Sequence, residues 1–203
     1  MGGSTVTDLL FSEFIEGSIN DKALGISNAT GPAIDLSIYS IQKQTNDSSD
    51  RIPGLYLTGT LNNGSKFTIV NSLMASIYYP LSSANLFTAE TAMTFNGNDA
   101  VGLRKNGDLI DITGTFNGGT ANFAADQTIR TKSTVTSPTT TFNKTTQWDS
   151  YTSDTCNNLG RRMAENVPKT NIALNINDIA LYPNPSNGNF SINNSNKIYA
   201  FEI

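Results

Sequence analysis

At 203 residues the chain is long enough for one domain with a full core, plus an appendage. It has no histidine, one cysteine and a net charge of −4. Those facts exclude Ser-His-Asp and Cys-His catalysis, histidine general bases, an intrachain disulfide and a cysteine-rich zinc site, and they argue against a general electrostatic grip on nucleic acid. Any catalysis would rest on carboxylates, lysine or tyrosine. Only 15% of residues are charged. Asn, Ser and Thr make up roughly a third of the chain, well above ordinary usage. Such compositions build β-structure with hydroxyl-rich outer faces. No apolar run reaches the roughly 20 residues of a membrane-spanning helix. The start, Met1 to Ser4, reads as an added leader rather than a secretory signal.

In chain order, Asp8 to Ile15 reads as a first strand and Lys22 to Ser27 as a second, with Leu24 and Ile26 inward. Asn28 to Pro32 is turn material, and Ile34, Leu36, Tyr39 and Ile41 mark the next extended segments. Gln42 to Arg51 is a polar loop. Asn62-Asn63-Gly64 lies between two further apolar runs as a hairpin-like signal, and Leu73 to Tyr79 is compatible with one or two helical turns stopped by Pro80. The most legible stretch is Phe95 to Thr113. Asn106-Gly107 tolerates the positive φ of a type I′ turn, and a two-residue turn there sets Lys105 opposite Asp108, Leu103 opposite Ile110 and Val101 opposite Ile112. Arg104 and Asp111 then share the outer face as an ion pair. Phe116 to Asn122 is a glycine-rich connection, and Gln127 to Lys132 is a late strand. The Ser/Thr-rich path from Ser133 to Thr146 lacks a core of its own and is pinned back by Trp148 and Tyr151. Many short strands with little helix predict an all-β sandwich.

Three blocks carry a family resemblance: SEFIEGSINDKALGISN (residues 12–28), FNGNDAVGLRKNGDLIDITG (95–114), and TIRTKSTVTSPTTTFN with QWDSY and DTCNNLG (128–160). Together they resemble bacterial lamin-tail domains. The resemblance implies an immunoglobulin-like β-sandwich over residues 8–163, in a secreted, multidomain bacterial protein. Two departures stand out: Gly25-Ile26-Ser27-Asn28 occupies the place of Glu-Ile-Tyr-Asn, and Arg161 stands where a histidine often follows the Leu-Gly pair. A second stretch, LYPNPSNGNFSI (181–192), resembles the opening of the C-terminal sorting domain of the Bacteroidetes type IX secretion system. It implies an extracellular or outer-membrane surface address. The expected organisation is a leader at residues 1–7, the sandwich at 8–163, a linker at 164–178, and at 179–203 a short C-terminal β fragment, truncated after its first strand or two.

Several side chains are candidates for chemistry. Asn96, Asn98 and Asp99 offer the clustered oxygens that Ca²⁺ prefers, although the same residues also make turns. Arg104, Lys105, Arg130 and Lys132 would form a basic strip for a phosphate-bearing ligand if the fold aligned them; solvated strand charge is the commoner explanation. Glu13 and Glu16, three apart, point to opposite faces of a regular strand, and solvated charge on an edge strand explains them more simply than a catalytic dyad. Cys156 reads as a buried small residue. The expected role is a non-catalytic interaction module, with neighbouring domains, a surface glycan or a protein as partner and type IX secretion machinery engaging residues 179–203. The alternatives are a substrate-binding module of a secreted endonuclease/exonuclease/phosphatase-type hydrolase, through which alone nucleic acid would be a partner, and a carboxylate enzyme using Glu13, Glu16 or Asp99. Calcium is the one cofactor the sequence suggests.

Overall fold

The computed structural model describes residues 6–49 and 54–161 and, further on, three strands by their backbone alone. The chain divides into two units, residues 1–164 and 165–203, and each is described by itself.

The strands of the first unit are β1 (Leu10–Glu16), β2 (Lys22–Ser27), β3 (Ile34–Asp35), β4 (Tyr39–Gln44), β5 (Leu55–Tyr56), β6 (Thr60–Leu61), β7 (Lys66–Asn71), β8 (Leu86–Thr88), β9 (Ala100–Lys105), β10 (Asp108–Thr113), β11 (Gln127–Thr131) and β12 (Trp148–Thr152). A single helical turn, α1 (Lys144–Gln147), precedes β12 and is capped by the Asn143 side chain. Six strands form a large sheet in the order β12-β11-β1-β2-β7-β8, and four form a smaller one in the order β10-β9-β4-β5. Neighbours in both run antiparallel apart from the parallel β7–β8 pair. The unit is the all-β sandwich that the short, turn-separated runs predict.

The two sheets meet through apolar side chains at alternate positions. Phe14, Leu24, Ile26, Ile69 and Ile129 of the large sheet pack with Tyr39, Ile41, Val101 and Leu103 of the smaller one. Phe95 stacks on Phe14 with ring centroids 4.5 Å apart. A run of ring contacts from Phe14 through Phe123 and Phe142 to Trp148 ties the strap of residues 133–147 to this core. Trp148 is therefore an anchor, as its neighbourhood suggests, but it also begins β12, a strand the polar composition of residues 148–152 conceals.

The large sheet has a second core on its outer face. Ile15, Ala23 and Val70 pack there under Met74, Tyr79, Cys156 and Leu159. Covered on both faces, β1 and β2 are buried along their whole length. The expectation of an edge strand decorated with solvated charge fails for this reason: β1 is central, lying between β2 and β11.

Local chemistry explains the other departures. Both turn residues of the β9–β10 hairpin have positive φ, Asn106 at 51° and Gly107 at 89°, and Lys105 faces Asp108 as expected. A bulge between Leu109 and Asp111 then shifts the register, so that Leu103 faces Asp111, Gly102 faces Ile112 and Val101 faces Thr113. The expected Leu103–Ile110 and Val101–Ile112 pairs do not form. Lys105 places its ammonium 2.6 Å from Asp8 instead of closing the hairpin end on Asp108. The signal at residues 62–64 makes a turn but not a two-strand hairpin, because β6 pairs with β3 and β7 with β2. Residues 73–79 form turns rather than a helix. The Asn71 side chain takes the Leu73 N–H at 2.9 Å, and Met74 and Tyr79 both reach the outer core.

The second unit contains β13 (Ala180–Tyr182), β14 (Phe190–Asn194) and β15 (Lys197–Phe201), antiparallel in that order. It thus has three strands rather than one or two. The expected linker at 164–178 lies outside the described residues.

Candidate functional site

The strongest concentration of charge is buried on the outer face of the large sheet. The β1–β11 register sets Glu13 opposite Arg130. Glu13 is fully buried, with Arg130 Nε 3.0 Å from one carboxylate oxygen and Lys66 Nζ 3.3 Å from the other. Two cations thus share one carboxylate. Arg130 also donates to the Thr155 carbonyl at 3.0 Å and to Asn157 Oδ1 at 2.7 Å, and its guanidinium lies 4.4 Å over the Tyr151 ring. Gly25, opposite Glu13 on β2, leaves the room this needs. A Cβ there would come within 2.7 Å of Ser12 Oγ and 3.3 Å of Glu13 Oε2.

Glu16 closes the same strand. Its carboxylate receives Lys22 Nζ at 2.7 Å and the Asp126 N–H at 2.5 Å, and Lys22 also donates to the Gly17 carbonyl. Glu13 and Glu16 are each bound to their own cations and do not converge as a dyad.

The four basic candidates separate. Arg104 donates to Gln42 Oε1 at 2.7 Å and to the Gly107 carbonyl at 2.6 Å on the smaller sheet, whereas Arg130 sits on the outer face of the large one. Lys132 donates to the Thr145 carbonyl at 2.8 Å and lies 3.9 Å from Asp149. No common strip is made of Arg104, Lys105, Arg130 and Lys132.

The loop of Asn96, Asn98 and Asp99 is brought together; the side-chain oxygens of Asn96 and Asp99 are hydrogen-bonded, while Asn98 Oδ1 is buried without a hydrogen-bond partner among the described residues. Asp99 is buried, and its two oxygens accept the Asn46 N–H at 2.9 Å and the Asn96 N–H at 3.0 Å, with Lys43 Nζ 3.7 Å away. Asn96 Oδ1 accepts the Asn98 N–H at 3.2 Å, and Asn98 Nδ2 donates to the Thr120 carbonyl at 3.0 Å. A cation at Asp99 would have to displace the Lys43 ammonium and two N–H donors. The three side chains act as a turn lock.

Asp111 is the residue the bulge relocates. Instead of pairing with Arg104 on the surface, it is buried between β1 and the strap, accepting the Phe11 N–H at 2.7 Å and the Thr139 N–H at 3.0 Å. Burial pushes its carboxyl up to about 6, against the opposing pull of the N–H donors of Thr139, Phe11 and Ile112. The native state thus holds this proton more tightly than the unfolded chain does. The associated stability is present below the unfolded value near 3.8 and is lost as pH rises through about 6. A displacement of this size corresponds to roughly 3 kcal/mol. Melting the protein and its Asp111→Asn variant side by side should show the variant gaining on the parent by about that amount between pH 4 and neutrality. A difference in stability that stays flat across that range would contradict the assignment.

Cys156 is buried in the outer core, and its thiol is pushed up to about 12, first by burial and then by the charges of Asp154, Asp21 and Glu13. It is a packing residue, as expected. Tyr151 is partly exposed, with Arg130 against one face. Beside the charge network, an open polar cleft of about 320 Å³ is lined by Thr60, Ser65, Lys66, Ser83, Asn85 and Gly160, among others. Among the described residues, no three Asp, Glu or Cys side chains gather as a metal-binding group, and no helix is long and apolar enough to cross a membrane.

Sequence reasoning missed Lys66 and Asn157 as partners of this network. Glu13 and Lys66 are 53 positions apart, and only the strand order brings them together. No family model matches the chain, and no curated protein matches it.

Proposed function

We propose that the first unit is a non-catalytic interaction module of the bacterial lamin-tail type, part of a secreted or cell-surface protein delivered by type IX secretion through residues 179–203. One observation carries the non-catalytic reading. The buried carboxylates Glu13, Glu16, Asp99 and Asp111 spend their oxygens on cations and backbone N–H groups. A general base or nucleophile needs a lone pair facing its substrate. Here the lone pairs hold strands and loops in register. The positions of the three resemblance blocks support the family reading: the first spans β1 and β2, the second is the β9–β10 hairpin, and the third runs through β11, α1 and β12.

The test is direct. The 203-residue protein, incubated with plasmid DNA and with a nitrophenyl phosphate in the presence of Mg²⁺, Mn²⁺ or Ca²⁺, is expected to give no turnover above buffer. Metal-dependent hydrolysis that follows the folded protein through purification would overturn the proposal.

A further inference from the structure

The open cleft beside the charge network combines one cation with a neutral polar lining. Lys66 is its charged residue, with a side chain only 7% exposed, and Thr60, Asn62, Ser65, Ser83 and Asn85 supply hydroxyls and carboxamides. None of the described lining residues is acidic. Asp35, opposite Thr60 in the β3–β6 pair, commits its carboxylate to the Ser37 N–H at 2.9 Å. At about 320 Å³ the cleft falls at the lower end of small-molecule pockets, roughly 300–1,000 Å³.

The charge at Lys66 is not balanced. Glu13 brings one negative charge to two cations, so the group of Glu13, Lys66 and Arg130 retains one positive charge on the outer face of the large sheet. Arg130 places Nη2 on the neutral oxygens of Thr155 and Asn157. Lys66 has three N–H donors and, among the described residues, one acceptor, Glu13 Oε2 at 3.3 Å, which is long for such a bond. A buried cation in that state is costly unless a further anion joins it. The cleft is where one can enter.

The neutral lining is held in place before any ligand arrives. Asn28, fully buried, donates from its side chain to the Leu61 carbonyl at 2.8 Å, gives its backbone N–H to the Ser65 carbonyl at 3.1 Å and accepts the Gly64 N–H at 2.8 Å. These bonds fix the turn that carries Asn62 and Ser65. Asn85 Oδ1 accepts both the N–H and the hydroxyl of Thr68, at 2.8 and 3.0 Å. That orients the carboxamide and leaves its Nδ2 donors without a partner among the described residues. No aromatic ring is among the described lining residues, so a nucleobase would find nothing to stack on. A single cation also does not match a strand of phosphates. Hydroxyls and carboxamides around one ammonium match a sugar that bears one acidic group.

We propose that this cleft binds an acidic sugar, with Lys66 Nζ taking its oxyanion, a carboxylate or a sulfate, and Asn62, Ser65, Ser83 and Asn85 bonding its hydroxyls. The inference rests on the interaction role proposed above and gives it a ligand. Calorimetric titration of the whole chain with glucuronic acid, glucose 6-sulfate, glucose and inorganic sulfate tests it. At least one of the two sugar anions is expected to bind about tenfold or more tightly than glucose, and the tighter of the two names the oxyanion. Lys66→Met is expected to lower affinity for that sugar by about tenfold or more. Because Lys66 also pairs with Glu13, a second variant separates binding from folding. Asn62→Asp sets a negative charge on an exposed turn residue and should weaken binding of the sugar anion several-fold, with no loss of thermal stability. Absence of binding by both sugar anions, equal binding of glucose, or unchanged affinity in both variants would overturn the proposal. Inorganic sulfate binding as tightly as the better sugar anion, or more tightly, would also overturn it, assigning the cleft to free anions. Phosphoester turnover is read separately, so this proposal and the non-catalytic reading fail by different measurements.

Discussion

Replacing Glu13 by alanine is expected to destabilise the protein by roughly 3–5 kcal/mol, the cost of leaving a buried charge unpaired. For a chain of this size that corresponds to a fall in melting temperature of about 10 °C or more. The change removes a carboxylate that faces Arg130 at 3.0 Å and Lys66 at 3.3 Å and leaves both cations under the outer core. Arg130 cannot swing to water cheaply, because Thr155 and Asn157 hold its far end. Glu13→Gln keeps the shape and loses the charge, so it should be nearly as damaging. The informative control is the triple variant Glu13→Leu, Lys66→Met, Arg130→Met. Apolar replacement of a whole buried ion group is often neutral, so the triple variant should recover most of the loss. Chemical denaturation of the three proteins measures this. If Glu13→Ala costs under about 1 kcal/mol, in the range of exposed pairs, the network is not what secures the outer face.

Gly97→Ala is expected to cost about 3 kcal/mol, at the upper end of ordinary overpacking. Gly97 lies in the tight loop of Asn96 to Asp99, and its carbonyl accepts two N–H groups, from Phe123 at 2.8 Å and Ala124 at 3.1 Å. A Cβ at Gly97 would fall on the backbone N and Cα of Ala125. Backbone cannot rotate away as the end of a side chain can, so the loop or the 123–125 segment must move. Gly119→Ala serves as the comparison. That glycine has a φ of +87° but open space around it, so only the conformational penalty of about 1 kcal/mol applies. Thermal melts that ranked Gly119→Ala as the worse variant would contradict the packing described at Gly97.

The fold was legible in the sequence where local chemistry decides it. Asn106-Gly107 specifies its turn by the φ values both residues tolerate, and Lys22 to Ser27 has the bounds and inward residues that alternation predicts. Legibility ended where a distant neighbour decides. Nothing in Leu109-Ile110-Asp111 announces a bulge, since no glycine is required there, yet that one extra residue moves Asp111 from the surface to a buried seam. Glu13 reads as surface charge because period-2 reasoning assumes one wet face, and the outer core of Met74, Tyr79, Cys156 and Leu159 removes that face. The candidate site was less legible than the fold. Arg130 is identifiable as a basic residue on a late strand, but its partner lies 117 positions earlier, and the pairing follows only from the strand order. The turn residues Asn96 to Asp99 were found because Asn and Asp favour turns whether or not a cation is present.

The strand order of the large sheet also dictates when the sheet can be completed. β1 and β2 are adjacent in sequence and pair directly, and β7 follows within the next stretch of chain. On its other side β1 must wait for β11, whose register joins Glu16 to Gln127 and Glu13 to Arg130. Such non-local pairing is slow, because the loop-closure entropy is lost before the contacts form. During synthesis the apolar flank of β1 stays open as a bare edge until more than a hundred further residues have emerged, and it is then vulnerable to pairing with another chain. The carboxylate of Glu13 lies on the strand that waits, and the second of its two cations is missing until the strand carrying Arg130 arrives. A charge that is buried in the finished sheet thus sits on β1 while its β11 side is still unpaired, where charge opposes edge-to-edge pairing.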